Sequence, residues 1–289
     1  MLRFLTSGES HGYCLSSIIE GIPAGLALVP DDINRDLARR QIGYGRGKRM
    51  EIEQDEAEIT SGVRFGKTLG SPISIIIKNR DWLNWQDRMS IEPFDDCAIA
   101  PITNPRPGHA DLPGALKYNH HDVRNVLERA SARETAARVA VGSVCRKLLA
   151  EFDIQVFSYV LEIKGIKANI AGQSCRDLYK KAEASVLRCP CPQAEQKMIK
   201  AIDRARAGGN SLGGVFEVVA EGVPPGLGSY SHWDRRLDGR LAQALMSIPA
   251  IKGVEVGRGF EAARMPGSMV HDEIRFAKKR GFYRKTNNA

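Results

Sequence analysis

Apolar positions recur along the chain with two different periods. Downstream of Ser131 the apolar residues Ala136, Val139, Ala140 and Val144 fall at i, i+3, i+4 and i+8, one face of a helix. Ser131-Ala132-Arg133-Glu134 just before them has the S-x-x-E spacing of a capping box, so the helix is expected to start there with Ser131 as its N-cap. Runs rich in β-branched residues predict strands at Ile18-Ile19, Pro72 to Ile77 and Val215 to Val219. Two of these runs lead into stretches with helical spacing and arginines, Asp32 to Gln41 and Asp234 to Leu245.

The turns between those runs and helices echo each other. Glu20-Gly21-Ile22-Pro23-Ala24-Gly25-Leu26 returns as Glu221-Gly222-Val223-Pro224-Pro225-Gly226-Leu227. The echo predicts one strand, Pro/Gly turn and helix unit used twice. Two copies so far apart bracket a single interwoven domain over 1–289 better than they define a solenoid, which needs about three repeats. Strands and helices mix without regular βαβ alternation, so the expected class is α+β, with antiparallel sheet covered by helices.

Composition narrows the setting. Hydrophobic residues at 43% and charged residues at 26% describe an ordinary globular chain. No window approaches the roughly 20 apolar residues of a membrane span, and the first ten residues lack the apolar run of a signal peptide, which places the protein in the cytoplasm. The six cysteines are scattered, so reduced thiols are expected, and Cys189-Pro190-Cys191 has no second C-x-x-C or nearby histidine to build a zinc site. A formal net charge of +8 points to an anionic partner.

Basic side chains gather in three places. Arg129 and Arg133 flank the helix start at Ser131, where unpaired backbone N–H groups and the helix dipole favour an anion. Arg39, Arg40, Arg46, Lys48 and Arg49 crowd a segment read as a glycine-rich loop, without the spacing of a P-loop. Arg106 and His109 share the stiff turn Asn104-Pro105-Arg106-Pro107-Gly108-His109, which makes His109 a candidate acid or base. Gly8-Glu9-Ser10-His11-Gly12 matches G-x-S-x-G, but only seven residues precede it, too few for the earlier strand and oxyanion loop of a hydrolase. Ser10 is therefore a poor nucleophile, and His11 becomes the residue of interest.

Taken together, GESHGYCL at 8–15, the EGIPAG turn, the 39–49 segment, RPGHAD at 106–111 and ERASARETAARVA at 128–140 resemble chorismate synthases. GGNSLGG at 208–214, GVPPGLG at 222–228 and ALMSIPAIKGVEVG at 244–257 continue the resemblance in the family's order. It implies a β-α-β sandwich of antiparallel sheets around helices, usually a homotetramer. It also implies the 1,4-elimination of phosphate from 5-enolpyruvylshikimate 3-phosphate to give chorismate, using reduced FMN without net oxidation. Some members reduce that flavin themselves with NADPH. By motif position Arg40, Arg46, Arg49, Arg106 and Arg133 would hold the small phosphorylated substrate, with Ser10 beside it. Arg129, Ala130 and Ser131 would contact FMN, as would Pro249 and Ala250, where many members have Asn-Ala. His11 matches the histidine that donates a proton to the reduced flavin, and His109 the one associated with the departing phosphate.

Family members continue past Ala289 into a segment that supplies more of the site, so the 289-residue sequence is read as C-terminally incomplete; if Ala289 is the natural end, weak FMN binding and little or no activity are expected. The competing readings are such an inactive fragment and a basic RNA-binding module. Aromatic residues at 7%, with one tyrosine in the 39–49 segment, leave few platforms for stacked bases. No nucleic acid, membrane or metal is expected as partner.

Overall fold

The structure is a computed structural model that describes residues 2–45, 52–93, 99–279 and 281–288. Its residues group into two compact units, Met1–Val223 and Pro224–Ala289.

In the first unit β1 (Arg3–Ser7) and β2 (Cys14–Glu20) lead to α1 (Pro30–Gln41), followed by β3 (Ala57–Ser61), the short β4 (Val63–Arg64) and β5 (Lys67–Thr68), and β6 (Ile73–Lys78). Next come α2 (Asp111–Tyr118), α3 (Arg124–Leu127), α4 (Thr135–Ala150), β7 (Gln155–Ile163), β8 (Ile166–Lys167), α5 (Cys175–Glu183), α6 (Pro192–Ala207) and β9 (Gly214–Glu221). The main sheet has the order β1-β2-β6-β3, antiparallel throughout, and a second antiparallel sheet runs β8-β7-β9.

Alternation sets the face that the main sheet buries. Leu15, Ser17 and Ile19 on β2 and Ile73, Ile75 and Ile77 on β6 point into the core, because a strand's side chains alternate sides with period two. Ile33 and Leu37 of α1 and Ala136, Ala137, Ala140, Val141 and Val144 of α4 cover that face. The alanines let α4 lie close to the sheet. α4 also contacts β7, and α5 covers the second sheet through Leu178 and Ala182 against Phe157 and Tyr159.

α1 starts where its sequence favours a helix. Pro30 occupies the first turn, the Asp32 carboxylate accepts the Val29 N–H at 3.1 Å, and Arg39 and Arg40 close the last turn near the negative end of the dipole. Arg39 and Arg40 therefore belong to a helix, which corrects the reading of 39–49 as one loop; Arg46 and Arg49 lie outside the described residues.

The second unit holds α7 (Leu237–Met246), α8 (Gly267–Val270) and a hairpin of β10 (Ile274–Ala277) and β11 (Gly281–Arg284). The helix expected from Asp234 begins at Leu237, because a 3-10 turn over Trp233–Arg235 ends in an extended Arg236. The echoed turns share their backbone: Gly21 and Gly25 have φ of 95° and 90°, Gly222 and Gly226 of 77° and 99°. Such positive φ values explain why both copies keep glycine at these positions. The mixed helix and antiparallel sheet agrees with the α+β expectation.

Candidate active site

Gly8 opens the loop between β1 and β2 with φ 101°, and a Cβ there would run into the Cys14 carbonyl oxygen. The glycine thus lets the chain turn tightly, and the next residues, Ser10 and His11, meet the segment that follows α3. The Ser10 N–H donates to the Glu128 carbonyl at 3.0 Å, and the His11 N–H donates to the Glu128 carboxylate at 2.8 Å. His11 Nδ1 lies 2.9 and 3.0 Å from the two oxygens of that carboxylate. The His11 ring stacks on Trp85 with centroids 4.0 Å apart and planes at 22°.

Glu128 is buried, which by itself would push its pKa up. Hydrogen bonds from the His11 ring and backbone, with Arg124 adding its charge, outweigh that burial and hold the carboxyl below its ordinary value. Trp85 in turn donates its indole N–H to Asp81 at 3.1 Å, and Arg88 and Arg124 lie 5.5 and 5.4 Å from its ring.

Arg129 follows directly. Its guanidinium donates to the Thr6 and Gly8 carbonyls at 2.8 and 3.1 Å and to the Thr6 hydroxyl at 2.9 Å. These acceptors are neutral, and among the described residues no carboxylate pairs with it, so its charge is not cancelled. Ala130 is exposed, and the Ser131 hydroxyl donates to Ser10 Oγ at 3.1 Å. Ser131 Oγ also accepts the Arg133 N–H at 3.3 Å, as the N-cap of a 3-10 turn over Ala132–Glu134 that runs into α4. The cap forms, but not the reciprocal capping box. The Glu134 carboxylate is taken by the Thr6 hydroxyl at 2.9 Å and by Arg138 at 3.0 Å.

Arg133 and Arg40 have a different environment. Arg133 is 6% exposed and donates to Asp55 at 2.5 Å and to Asn79 Oδ1 at 2.9 Å, with Glu53 at 3.7 Å. Arg40 reaches the other Asp55 oxygen at 3.3 Å, the Thr135 hydroxyl at 3.0 Å and the Ala132 carbonyl at 3.2 Å. Asn79 ties this network to the glycine loop by donating to the Glu9 and Gly12 carbonyls.

In the 104–111 turn Arg106 grips the buried Asp111 with a two-pronged fork at 2.9 and 3.1 Å. The fork lowers the Asp111 pKa and raises that of Arg106, to which Glu128 also contributes, so this turn lies within electrostatic reach of the His11 cluster. His109 is exposed, with Nδ1 3.0 Å from the Pro107 carbonyl. A carbonyl only accepts, so the neutral ring carries its hydrogen on Nδ1 and leaves Nε2 as the base.

Of the residues singled out in the sequence, Ser10, His11, Arg129, Ala130 and Ser131 therefore come together. Arg106 and His109 share a neighbouring turn, and Arg40 and Arg133 join a buried ionic network. Pro249 and Ala250 are exposed in the second unit, Ala250 with φ 69°. Among the described residues no group of three or more His, Cys, Asp or Glu could hold a metal, and no helix is long and apolar enough to cross a membrane.

Comparison with known proteins adds an independent line. The family profile described as chorismate synthase matches residues 2–289. The chain belongs to the chorismate synthase family. Chorismate synthase of Aquifex aeolicus is 58% identical over 297 residues, which cover 99% of this chain and 74% of that protein. The enzyme of Syntrophotalea carbinolica is 59% identical over 288 residues, covering 100% of this chain and 74% of that protein. A solved chorismate synthase crystal structure aligns with a TM-score of 0.84 at 50% identity, over 99% of this chain and 78% of that one.

For a chorismate synthase fold the sequence reading overlooked four residues that set the geometry: Glu128, Asn79, Asp55 and Trp85. Glu128 stands immediately before Arg129 and could have been noticed as an acid where cations were expected. Trp85 sits in Asp81-Trp82-Leu83-Asn84-Trp85, which holds two of the chain's three tryptophans. Asp55 and Asn79 carried no local signal, since their partners lie far along the chain.

Proposed function

We propose that this chain carries out the 1,4-elimination of phosphate from 5-enolpyruvylshikimate 3-phosphate to give chorismate, with reduced FMN as cofactor, as a cytoplasmic homotetramer. The observation that carries the proposal is the convergence of the 8–12 loop with the 128–131 turn. It brings an imidazole, two hydroxyls and an arginine that has no carboxylate partner among the described residues into one cluster.

FMN is compatible with this donor set. Its phosphate and polar edge need a cation and hydroxyls, and Arg129 and Ser131 supply them, with Ala130 exposed between the two. A bound reduced flavin would supply an electron-rich group that eases loss of phosphate from the substrate without net oxidation. NADPH as the flavin's reductant belongs to the same proposal.

The substrate carries carboxylates and a phosphate. Arg106 presents a half-exposed guanidinium, and Arg46 and Arg49 are assigned by motif position, because arginine forks match such oxygens bidentately. Arg40 and Arg133 are assigned with them. Their ties to Asp55 fix the floor on which Ser10 and Ser131 are mounted. In the elimination the C–O bond to phosphate breaks, a ring hydrogen is lost, and a second ring double bond forms. His109 and His11 each keep the neutral ring hydrogen on Nδ1, so once protonated His109 offers an Nε2–H to the departing phosphate and His11 holds an exchangeable proton at Nε2.

Release of inorganic phosphate from the enolpyruvyl substrate in the presence of reduced FMN tests the reading. No release above the reaction without protein would reject it.

A further inference from the structure

We propose that Glu128 is the positioning residue for His11, whose tautomer and ring orientation it sets so that Nε2 is the atom that exchanges protons. The inference rests on the proposed function only for its effect on turnover.

The geometry carries it. Glu128 fastens residues 10 and 11 three times: its carbonyl accepts the Ser10 N–H, and its carboxylate accepts both the His11 N–H and a hydrogen on the ring. The carboxylate's side chain is 2% exposed. An ionised carboxylate can only accept hydrogen bonds, so Nδ1 must be the donor and the neutral ring keeps its hydrogen there. Trp85 holds the plane of the ring by stacking. Among the described residues Nε2 has no hydrogen-bond partner: Asp81 Oδ2 lies 3.9 Å away, beyond hydrogen-bond reach, and already accepts the Trp85 indole at 3.1 Å. The charged groups facing His11 are thus Glu128 and Asp81, with Arg124 and Arg88 about the Trp85 ring. One ring nitrogen is anchored by a buried acid and the other has no partner among the described residues, the arrangement that confines proton uptake and release to Nε2.

Nitrogen-15 NMR of the histidine rings tests this, with the His11 signals assigned by their loss in His11→Gln. In the parent chain above the ring's titration, His11 is expected as the Nδ1–H tautomer. In Glu128→Gln the neutral amide can donate as well as accept, so the Nδ1–H signature should weaken. With it kcat should fall about 10- to 100-fold, the usual cost of removing such a support, while KM stays nearly constant. An Nε2–H tautomer in the parent overturns the proposal without any variant. So does a Glu128→Gln variant that keeps both tautomer and kcat, or one that changes tautomer at unchanged kcat while His11→Gln abolishes turnover. If His11→Gln itself turns over like the parent, the proposed function of His11 fails, while the tautomer measurement still decides whether Glu128 holds the ring.

Discussion

Residues 128–134 contain two ends that use the same residue types differently. At the first end Glu128 and Arg129 reach the glycine loop. The acid there anchors one histidine nitrogen, and the arginine rests on neutral carbonyls that leave its charge unspent. At the second end Arg133 is buried against Asp55 and Glu53, and Glu134 is shared by Thr6 and Arg138. Electrostatics explains the division. A cation meant for an anionic ligand must keep its field outside the protein, whereas a fully buried one costs several kcal/mol unless carboxylates neutralise it. Two arginines four residues apart therefore differ: Arg129 keeps an uncancelled charge, which the proposed function gives to a ligand, whereas the charge of Arg133 is met by the framework's carboxylates.

Replacing His11 tests the first end most sharply. His11→Ala is expected to lower turnover by about 10²- to 10⁴-fold, equivalent to roughly 3–5 kcal/mol of transition-state stabilisation, with the fold retained and some stability lost as the buried Glu128 carboxylate loses its ring partner. Parent-like turnover with saturating reduced FMN would remove the chemistry from that end. Arg133→Ala should do the reverse. It takes the buried guanidinium away from Asp55 and Glu53, leaving Asp55 with Arg40 alone, and should cost about 3–5 kcal/mol of stability, read as a lower urea midpoint in the absence of any ligand. If its stability matched the parent, the two arginines would not differ as described.

Arg129→Ala falls between these. Losing the charged hydrogen bonds to Thr6 and Gly8 should cost about 1–3 kcal/mol of stability. FMN affinity, measured by calorimetry, should fall by more than it does in Arg106→Lys. Equal FMN affinity in the two would erase the role of Arg129. The smallest effect concerns Arg106 and acid. The fork lowers the Asp111 pKa, so the ionised pair adds stability that is fully present above the ordinary carboxylate value of about 4 and is lost as pH falls through the lower folded value. Arg106→Lys keeps the charge but loses the second prong. Because Arg106 is half-exposed, the expected cost is only about 0.5–1 kcal/mol, seen as acid unfolding by circular dichroism that begins at a higher pH than in the parent.

Much of this could be read from local sequence. The 3.6-residue pattern of Ala136, Val139, Ala140 and Val144 placed a helix whose buried face includes Ala136, Ala140 and Val144. The β-branched runs located β2, β6 and β9, and the echoed glycines adopt the same positive φ in both copies. Helix starts were less legible. A capping box predicted from Ser131 and Glu134 lost its acid to Thr6, 128 residues away, because a side chain takes the best partner the fold offers rather than the nearest in sequence. The other end of a helix was ambiguous too: Arg39 and Arg40 fall both in the helical spacing of Asp32 to Gln41 and in the basic segment read as a loop, and the structure gives them to α1.

The sequence by itself determined which residue types were available: two candidate histidines, a surplus of arginines, and glycines where the chain turns sharply. It also determined the family, because many motifs stand in one order over the whole chain. What only the tertiary structure decided was which charges remain usable. Asp55 pairs with Arg40 and Arg133 from 15 and 78 residues away, with Glu53 as the second acid beside Arg133, and Glu128 reaches His11 across 117. Neutralisation depends on distance in space, burial and the direction of each fork, and none of these is encoded in a local pattern of residues.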